Sequence, residues 1–123
     1  MFGSCIAVGA GGFLGSVLRY LIGHLPVRET TLFPVRTFAI NLLGCALIGC
    51  LAALASRNTT LDPRLILFLK VGLCGGFTTF STFGLETAQL IRSGHPAVAA
   101  LYVVLSVALG VGLVFGAEAL AGQ

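Results

Sequence analysis

Four long apolar stretches, separated by short polar breaks, limit what this chain can fold into. They lie at Phe2–Gly23, Thr37–Ser56, Leu65–Ile91 and Ala97–Ala121. Each approaches or exceeds the roughly 20 residues that a helix needs to cross a bilayer. Only 9% of the residues are charged, against about a quarter in a typical soluble domain. The sequence therefore predicts one all-α integral membrane domain over residues 1–123, with four transmembrane helices and no soluble domain.

The net charge of +3 is small, and its distribution says more than its size. With four spans, Arg57 and Arg64 fall on one side of the membrane and Arg28, Arg36 and Arg92 on the other. Orientation follows the excess of Lys and Arg in short loops, and here there is almost none. Charge alone leaves two possibilities open: one weakly specified orientation, or insertion both ways, which would permit an antiparallel dimer. We expect no nucleic acid partner.

Residue types used by enzymes and metal sites form no recognisable group in this sequence. The four cysteines lie inside the apolar stretches and are not spaced with a histidine as metal ligands are. Buried cysteine usually behaves as a small hydrophobic residue, so neither a disulfide framework nor a zinc site is expected. No nucleophile has an adjacent base, and we expect the chain not to be an enzyme.

The first stretch combines closely spaced glycines with an arginine. Gly11 and Gly15 predict tight helix packing, because small residues four apart let helix backbones approach each other. The dinucleotide-binding fingerprint fails, since position 14 is Leu and the stretch is an apolar run of bilayer length. Arg19 would either snorkel to the membrane surface, which is the commoner fate, or serve an anion path.

The third stretch contains a run that an ordinary membrane helix has no reason to carry. It reads Gly75-Gly76-Phe77-Thr78-Thr79-Phe80-Ser81-Thr82-Phe83. In lipid, a helix break is tolerated only where it is buried in protein or lines a wet cavity. We therefore predict a break near Gly75–Thr79, at the glycine pair, and a pore or binding site beside it. The carbonyls that a break frees are ligands that hard cations take.

The phenyl groups of this run have two interpretations. Phe80 and Phe83 are three residues apart and share a helix face, with Glu86 nearly one turn further on. A phenyl stripe at this spacing is ordinarily core packing. The interleaved hydroxyls, Thr82 among them, suggest an anion path instead, because a phenyl ring has a positive edge and hydroxyls donate to anions.

Three further polar side chains fall inside the apolar stretches. Asn41 follows Thr37 by four residues and would be costly to bury unpaired. It either bonds to another helix or points a donor into a permeation path, and taken alone the interhelical bond is the better interpretation. Tyr102 and Ser106 put two hydroxyls on one face of the fourth helix, although serine can also bond back to its own helix.

Three motifs, in this order across four spans, resemble the Fluc family of small membrane fluoride channels. They are Gly11-Gly12-Phe13-Leu14-Gly15-Ser16-Val17-Leu18-Arg19-Tyr20, then Thr37-Phe38-Ala39-Ile40-Asn41-Leu42-Leu43-Gly44, and the glycine–hydroxyl–phenyl run above. The resemblance covers the whole chain. It implies a multi-pass channel in the cell membrane, surrounded by membrane lipid, for passive electrogenic efflux of fluoride that reduces fluoride toxicity. It also implies an antiparallel dual-topology homodimer with two pores.

The resemblance also implies roles for particular residues. The fluoride path would be lined by polar and aromatic side chains from three helices: Asn41, Phe80, Thr82, Phe83, Tyr102 and Ser106. Backbone carbonyls of Gly75 and Thr78 from both subunits would hold a structural sodium ion on the dimer axis. Arg19 near a pore mouth and Glu86 towards the vestibule would have electrostatic or structural roles. Gly84 and Gly110 depart from the family pattern and remove donors from the path.

Two other functions compete with a channel. A proton-coupled exporter of small cations, of the small multidrug transporter type, depends on a membrane carboxylate that exchanges protons for substrate. The first helix has no acidic residue, and Glu86 is the only deeply placed candidate. A scaffold that packs through its glycines and transports nothing would account for the small residues but not for the polar and phenyl run.

Overall fold

Long apolar helices make up most of the chain in a computed structural model, which describes residues 1–28 and 30–122. Four segments of the described residues are long and apolar enough to cross a membrane, so the chain is a multi-pass membrane protein. We number the helices in chain order: α1 is Phe2–Gly23, α2 Val35–Arg57, α3 residues 63–77, α4 Phe80–Arg92 and α5 Pro96–Ala121. α3 and α4 together form the third span.

These spans confirm the predicted all-α membrane fold with four transmembrane segments. Three of them begin one or two residues before the predicted start. In two of the three, α3 and α5, the reason is proline at the beginning of the helix, which is favoured there because its missing N–H would be unpaired anyway. Pro63 and Pro96 occupy this position, and the Asp62 side chain caps α3 by accepting a hydrogen bond from the Arg64 N–H at 2.9 Å.

The third span changes helix geometry and then breaks. α3 starts as an α-helix at Pro63–Ile66, continues as a π-helix over Leu67–Cys74, and ends in the α-helical turn Gly75–Phe77. Thr78 and Thr79 are extended, with ψ of 158° and 115°. The break is therefore where the sequence predicted it in outline, within the run of glycine, hydroxyl and phenyl residues. The π-helix before it was not predicted.

The glycine pair, contrary to expectation, is not the point of the break. Gly75 is helical, with φ −63° and ψ −40°. Gly76 is also helical and lets α1 come close, since a Cβ there would lie 2.5 Å from the Gly12 carbonyl oxygen. The missing side chain of Gly76 therefore serves close approach, and the two threonines after the pair form the break.

Tight packing of α1 against α3 confirms the prediction made from Gly11 and Gly15. Both residues are buried, and a Cβ on either would overlap a backbone carbonyl oxygen of α3, from Phe68 and Leu73 respectively. α2 packs along α5 in the same way, through Gly49. α4 is joined to α2 and α5 by the cluster of Leu90, Ala99 and Tyr102, with Phe33, Phe38, Phe83 and Val98 packed around it.

Candidate functional site

The Asn41 side chain, on α2, forms hydrogen bonds with the backbone at the break between α3 and α4. Its Nδ2 donates to the Thr79 carbonyl oxygen at 3.1 Å, and its Oδ1 accepts from the Thr79 N–H at 2.8 Å. An uninterrupted helix would direct that N–H to the Gly75 carbonyl, four residues earlier. Asn41 therefore satisfies the interrupted backbone and leaves the Gly75 carbonyl without its helical donor. Asn41 has a second Nδ2 hydrogen for another acceptor.

The Thr79 hydroxyl caps the N-terminus of α4. Its Oγ1 accepts a hydrogen bond from the Thr82 N–H at 3.2 Å and donates to the Thr82 hydroxyl at 3.1 Å. Caps of this kind stabilise a helix by about 1 kcal/mol. Because the Thr82 N–H is used in this way, the Thr78 carbonyl also loses the donor that a continuous helix would give it.

Arg19 reaches the same break from α1. Its side chain is half-buried, and Nε donates to the Gly76 carbonyl oxygen at 3.2 Å. The guanidinium therefore bonds a carbonyl beside the interruption, and this contact helps to keep a cation inside an apolar span. The glycine packing between α1 and α3 brings the two elements close enough for this bond.

Glu86 joins three helices through two hydrogen bonds. The Thr37 hydroxyl donates to Oε1 at 2.6 Å, and the Tyr102 hydroxyl donates to Oε2 at 2.7 Å. Bonds of this length from a hydroxyl to a carboxylate are among the stronger ones in proteins. Tyr102 is completely buried, and its hydroxyl is engaged with Glu86. Although Tyr102 and Ser106 lie on one face of α5, only the Tyr102 hydroxyl has a hydrogen-bond partner among the described residues.

A cleft of about 360 Å³ lies between α2, the break, α4 and α5. It brings together four residues predicted for the fluoride path and both residues predicted for the sodium ion: Asn41, Phe80, Phe83 and Ser106, with Gly75 and Thr78. We call it the central cleft. Most of its remaining lining is apolar, so the few polar groups dominate its chemistry.

The two phenyl rings of the central cleft have different surroundings. The Phe83 ring lies 5.0 Å from the Tyr102 ring and packs against the buried cluster. The Phe80 ring lies 5.8 Å from Phe83, and its side chain is 83% exposed. The Phe83 ring therefore fits the core-packing interpretation, and the Phe80 ring does not.

Ser106 brings an unpaired hydroxyl to the central cleft. Its Oγ is enclosed, and within the described part of the chain it has no hydrogen-bond partner. A serine in a helix can bond back to its own backbone, but this one does not. Leaving a buried hydroxyl unpaired costs about 1–3 kcal/mol. Ser106 therefore keeps an unused hydrogen-bond donor at the wall of the central cleft.

A second cleft, of about 530 Å³, contains three of the four remaining predicted site residues, whereas Tyr102 lines neither cleft. It is lined by Arg19, Thr82 and Glu86, together with Arg36 from the start of α2. Thr79 lines both clefts. Apart from the buried Tyr102, the predicted residues thus form a central, mainly apolar group and a charged group, which meet at the break.

Comparison with known proteins identifies the family. The family model described as "CrcB-like protein, Camphor Resistance (CrcB)" matches residues 6–117. The chain belongs to the CrcB family. A relative from Chlorobaculum tepidum is 49% identical over 116 residues, which cover 94% of this chain and 92% of the relative. A relative from Prosthecochloris aestuarii is 40% identical over 120 residues, covering 98% and 94%.

A third relative, from Phocaeicola vulgatus, is 49% identical over 110 residues, which cover 88% of this chain and 89% of the relative. All three CrcB relatives are named "Fluoride-specific ion channel FluC". Membership confirms the resemblance found in the sequence. Two details of this CrcB site were not predicted: the bond from Thr37 to Glu86 and the cap by Thr79. The four-residue spacing of Thr37 and Asn41 marked that face as polar but did not identify the partners.

Replacing Asn41 by Ala removes both partners of the Thr79 backbone inside the membrane. We expect a loss of about 2 kcal/mol or more, because a buried backbone N–H and carbonyl are left unpaired. Thermal unfolding of the purified protein in detergent should show a clearly lower midpoint. Asn58→Ala, at the end of α2, is the control: within the described residues its side chain accepts only exposed hydrogen bonds, from Thr60, so this variant should lower the midpoint much less. Equal midpoints for both variants would contradict the role given to Asn41.

Proposed function

We propose that this chain forms a fluoride-selective ion channel through which fluoride leaves the cell passively, down its electrochemical gradient. The observation that carries this proposal is the enclosed, unpaired Ser106 hydroxyl in a cleft shared with Asn41, Phe80 and Phe83. The names of the CrcB relatives point to the same ion.

The central cleft suits fluoride because its donors are neutral. A small, strongly hydrated anion enters a narrow path only where protein donors replace its water. Here these would be the Ser106 hydroxyl, the second Asn41 N–H and the positive edges of the phenyl rings. None of them carries a full positive charge. Conduction needs sites that bind well enough to admit an ion and weakly enough to release it, and neutral donors meet both conditions.

The geometry of Glu86 speaks against the exporter. A proton-coupled exporter needs a carboxylate that exchanges a proton for a cationic substrate. Both oxygens of Glu86 already accept hydroxyl hydrogen bonds, from Thr37 and Tyr102. Glu86 therefore acts as a positioning residue that fixes Tyr102, against which the Phe83 ring packs.

The functional unit in this proposal is an antiparallel dual-topology homodimer in membrane lipid, with two pores. Phe80 is 83% exposed on the single chain, and a second copy would enclose it. A Cβ on Gly75 would meet nothing within 4 Å, so the chain is also open beside the break. The nearly balanced loop charges allow both orientations. A twofold axis beside the breaks would place the two central clefts next to each other.

We propose further that a structural sodium ion joins the two breaks. The Gly75 and Thr78 carbonyls have lost their helical donors to Asn41 and to the Thr79 hydroxyl. Carbonyl oxygens are ligands that hard cations accept, and a twofold axis would supply each of them twice. The residues present therefore fit the ion. When bound, sodium would compensate the four carbonyl dipoles at the axis.

Fluoride efflux from liposomes tests the channel proposal. Vesicles loaded with potassium fluoride and containing the purified protein should release fluoride rapidly, recorded with a fluoride electrode, only after a potassium ionophore is added. Vesicles loaded with chloride should release nothing. Phe80→Ile and Phe83→Ile should slow the release at least tenfold. Phe115→Ile, which replaces a 69% exposed phenyl on α5 outside both clefts, is the matched control and should not.

The same vesicles separate the channel from its rival. The absence of fluoride release from folded protein would refute the channel. Uptake of a small cation that is driven by a proton gradient and lost in Glu86→Gln would favour the exporter. In a channel, Glu86→Gln keeps an acceptor for one hydroxyl and should retain measurable fluoride release.

Removal of sodium tests the proposed structural ion. Protein purified and reconstituted with N-methylglucamine in place of sodium should release fluoride much more slowly, because the opposing carbonyls then lack their counter-ion. Adding millimolar sodium should restore the rate. Full release from protein carried through all steps without sodium would show that the carbonyls of Gly75 and Thr78 need no ion.

A further inference from the structure

Cys45 of α2 occupies the space that Gly110 leaves on α5. Gly110 is buried, and a Cβ on it would lie 3.3 Å from the Cys45 Sγ. Position 110 follows Ser106 by four residues, so it lies on the same face of α5, one turn further along. Family resemblance makes this a position where a hydroxyl could extend the fluoride path. In this chain, a thiol from the facing helix is found there instead.

Cys45 and Ser106 both line the central cleft, and they come from different helices. The Ser106 hydroxyl is enclosed and lacks a partner among the residues described, so the wall of the cleft holds an unused donor beside Cys45. Cys45 is half-buried and forms no disulfide. A thiol is a weak hydrogen-bond donor, so Cys45 can offer an anion a contact that the Gly110 backbone cannot.

We propose that the Cys45 thiol is the next hydrogen-bond donor along the fluoride path after Ser106, in the space left open by Gly110. In this position the thiol sets the rate of fluoride passage. This inference rests on the proposed channel function. It assigns to Cys45 of α2 the contact with fluoride that, in the family pattern, a hydroxyl at position 110 of α5 would make. A passage lined by a thiol is also open to block by thiol reagents, which a hydroxyl would not allow.

Fluoride efflux from liposomes tests this role through removal and rescue. Cys45→Ala should slow efflux at least fivefold, and Cys45→Ser should keep it within twofold of the natural chain. The double variant Cys45→Ala, Gly110→Ser should recover most of the rate, since the smaller residue on α2 makes room for a hydroxymethyl group on α5. Cys50→Ala, on α2 outside the central cleft, is the control and should not slow efflux.

A small thiol reagent provides a second test that needs no variant to fold. In the reaction with methyl methanethiosulfonate, the cysteine sulfur bonds to the methylthio sulfur, methanesulfinate leaves, and the thiol proton passes to water. Labelling at Cys45, followed by mass spectrometry, should slow efflux at least fivefold, and dithiothreitol should reverse the block. Cys45→Ser should resist the reagent, while Cys50→Ala should remain sensitive.

Several outcomes would overturn the inference. They are wild-type efflux in Cys45→Ala, failure of Gly110→Ser to rescue it, unchanged efflux after Cys45 is labelled, and a Cys45 that stays unlabelled while the exposed Cys5 reacts. Absence of fluoride release from the untreated natural chain would instead refute the proposed function. The two failures are therefore distinguishable in one set of vesicles.

Discussion

Backbone groups inside a bilayer must find hydrogen-bond partners within the protein, and the break between α3 and α4 interrupts several helical bonds at once. The other helices are arranged to satisfy it. Asn41 pairs with both backbone groups of Thr79, and Arg19 bonds the Gly76 carbonyl. The tight packing of α1 on α3 brings Arg19 within reach. Because these bonds hold the interruption, the Gly75 and Thr78 carbonyls lack their helical donors, and two phenyl rings lie at the edge of a cleft.

The same break separates two kinds of chemistry. On one side lies the central cleft, with neutral donors and phenyl rings. On the other lies a cleft with Arg19, Arg36 and Glu86, where charge can attract or repel ions but would bind them too firmly for a narrow path. Glu86 stays outside the central cleft because hydroxyls from α2 and α5 hold both of its oxygens. In the proposed channel, this arrangement would let a carboxylate lie close to the anion path without closing it.

Sequence reasoning reached the fold because bilayer length and apolar composition leave few alternatives, and proline at the starts of α3 and α5 explains two of the small errors in the bounds. It located the break but assigned it to Gly75 and Gly76, which are both helical, and the missing side chain of Gly76 serves helix contact instead. Periodicity also placed Tyr102 with Ser106, although the Tyr102 hydroxyl bonds to Glu86. Partners on other helices decide such contacts, and spacing along one helix does not reveal them. The contact between Cys45 and Gly110 could not have been found in the sequence for the same reason.

The central claim is that the cleft beside the break conducts fluoride itself, passively and in preference to other ions. The reversal potential of the purified protein in a planar bilayer tests it most directly, with separate gradients of fluoride, chloride and protons across the membrane. The account predicts that the reversal potential follows the fluoride gradient and is unaffected by the chloride and proton gradients. A reversal potential that follows chloride, or one that follows protons, would contradict it.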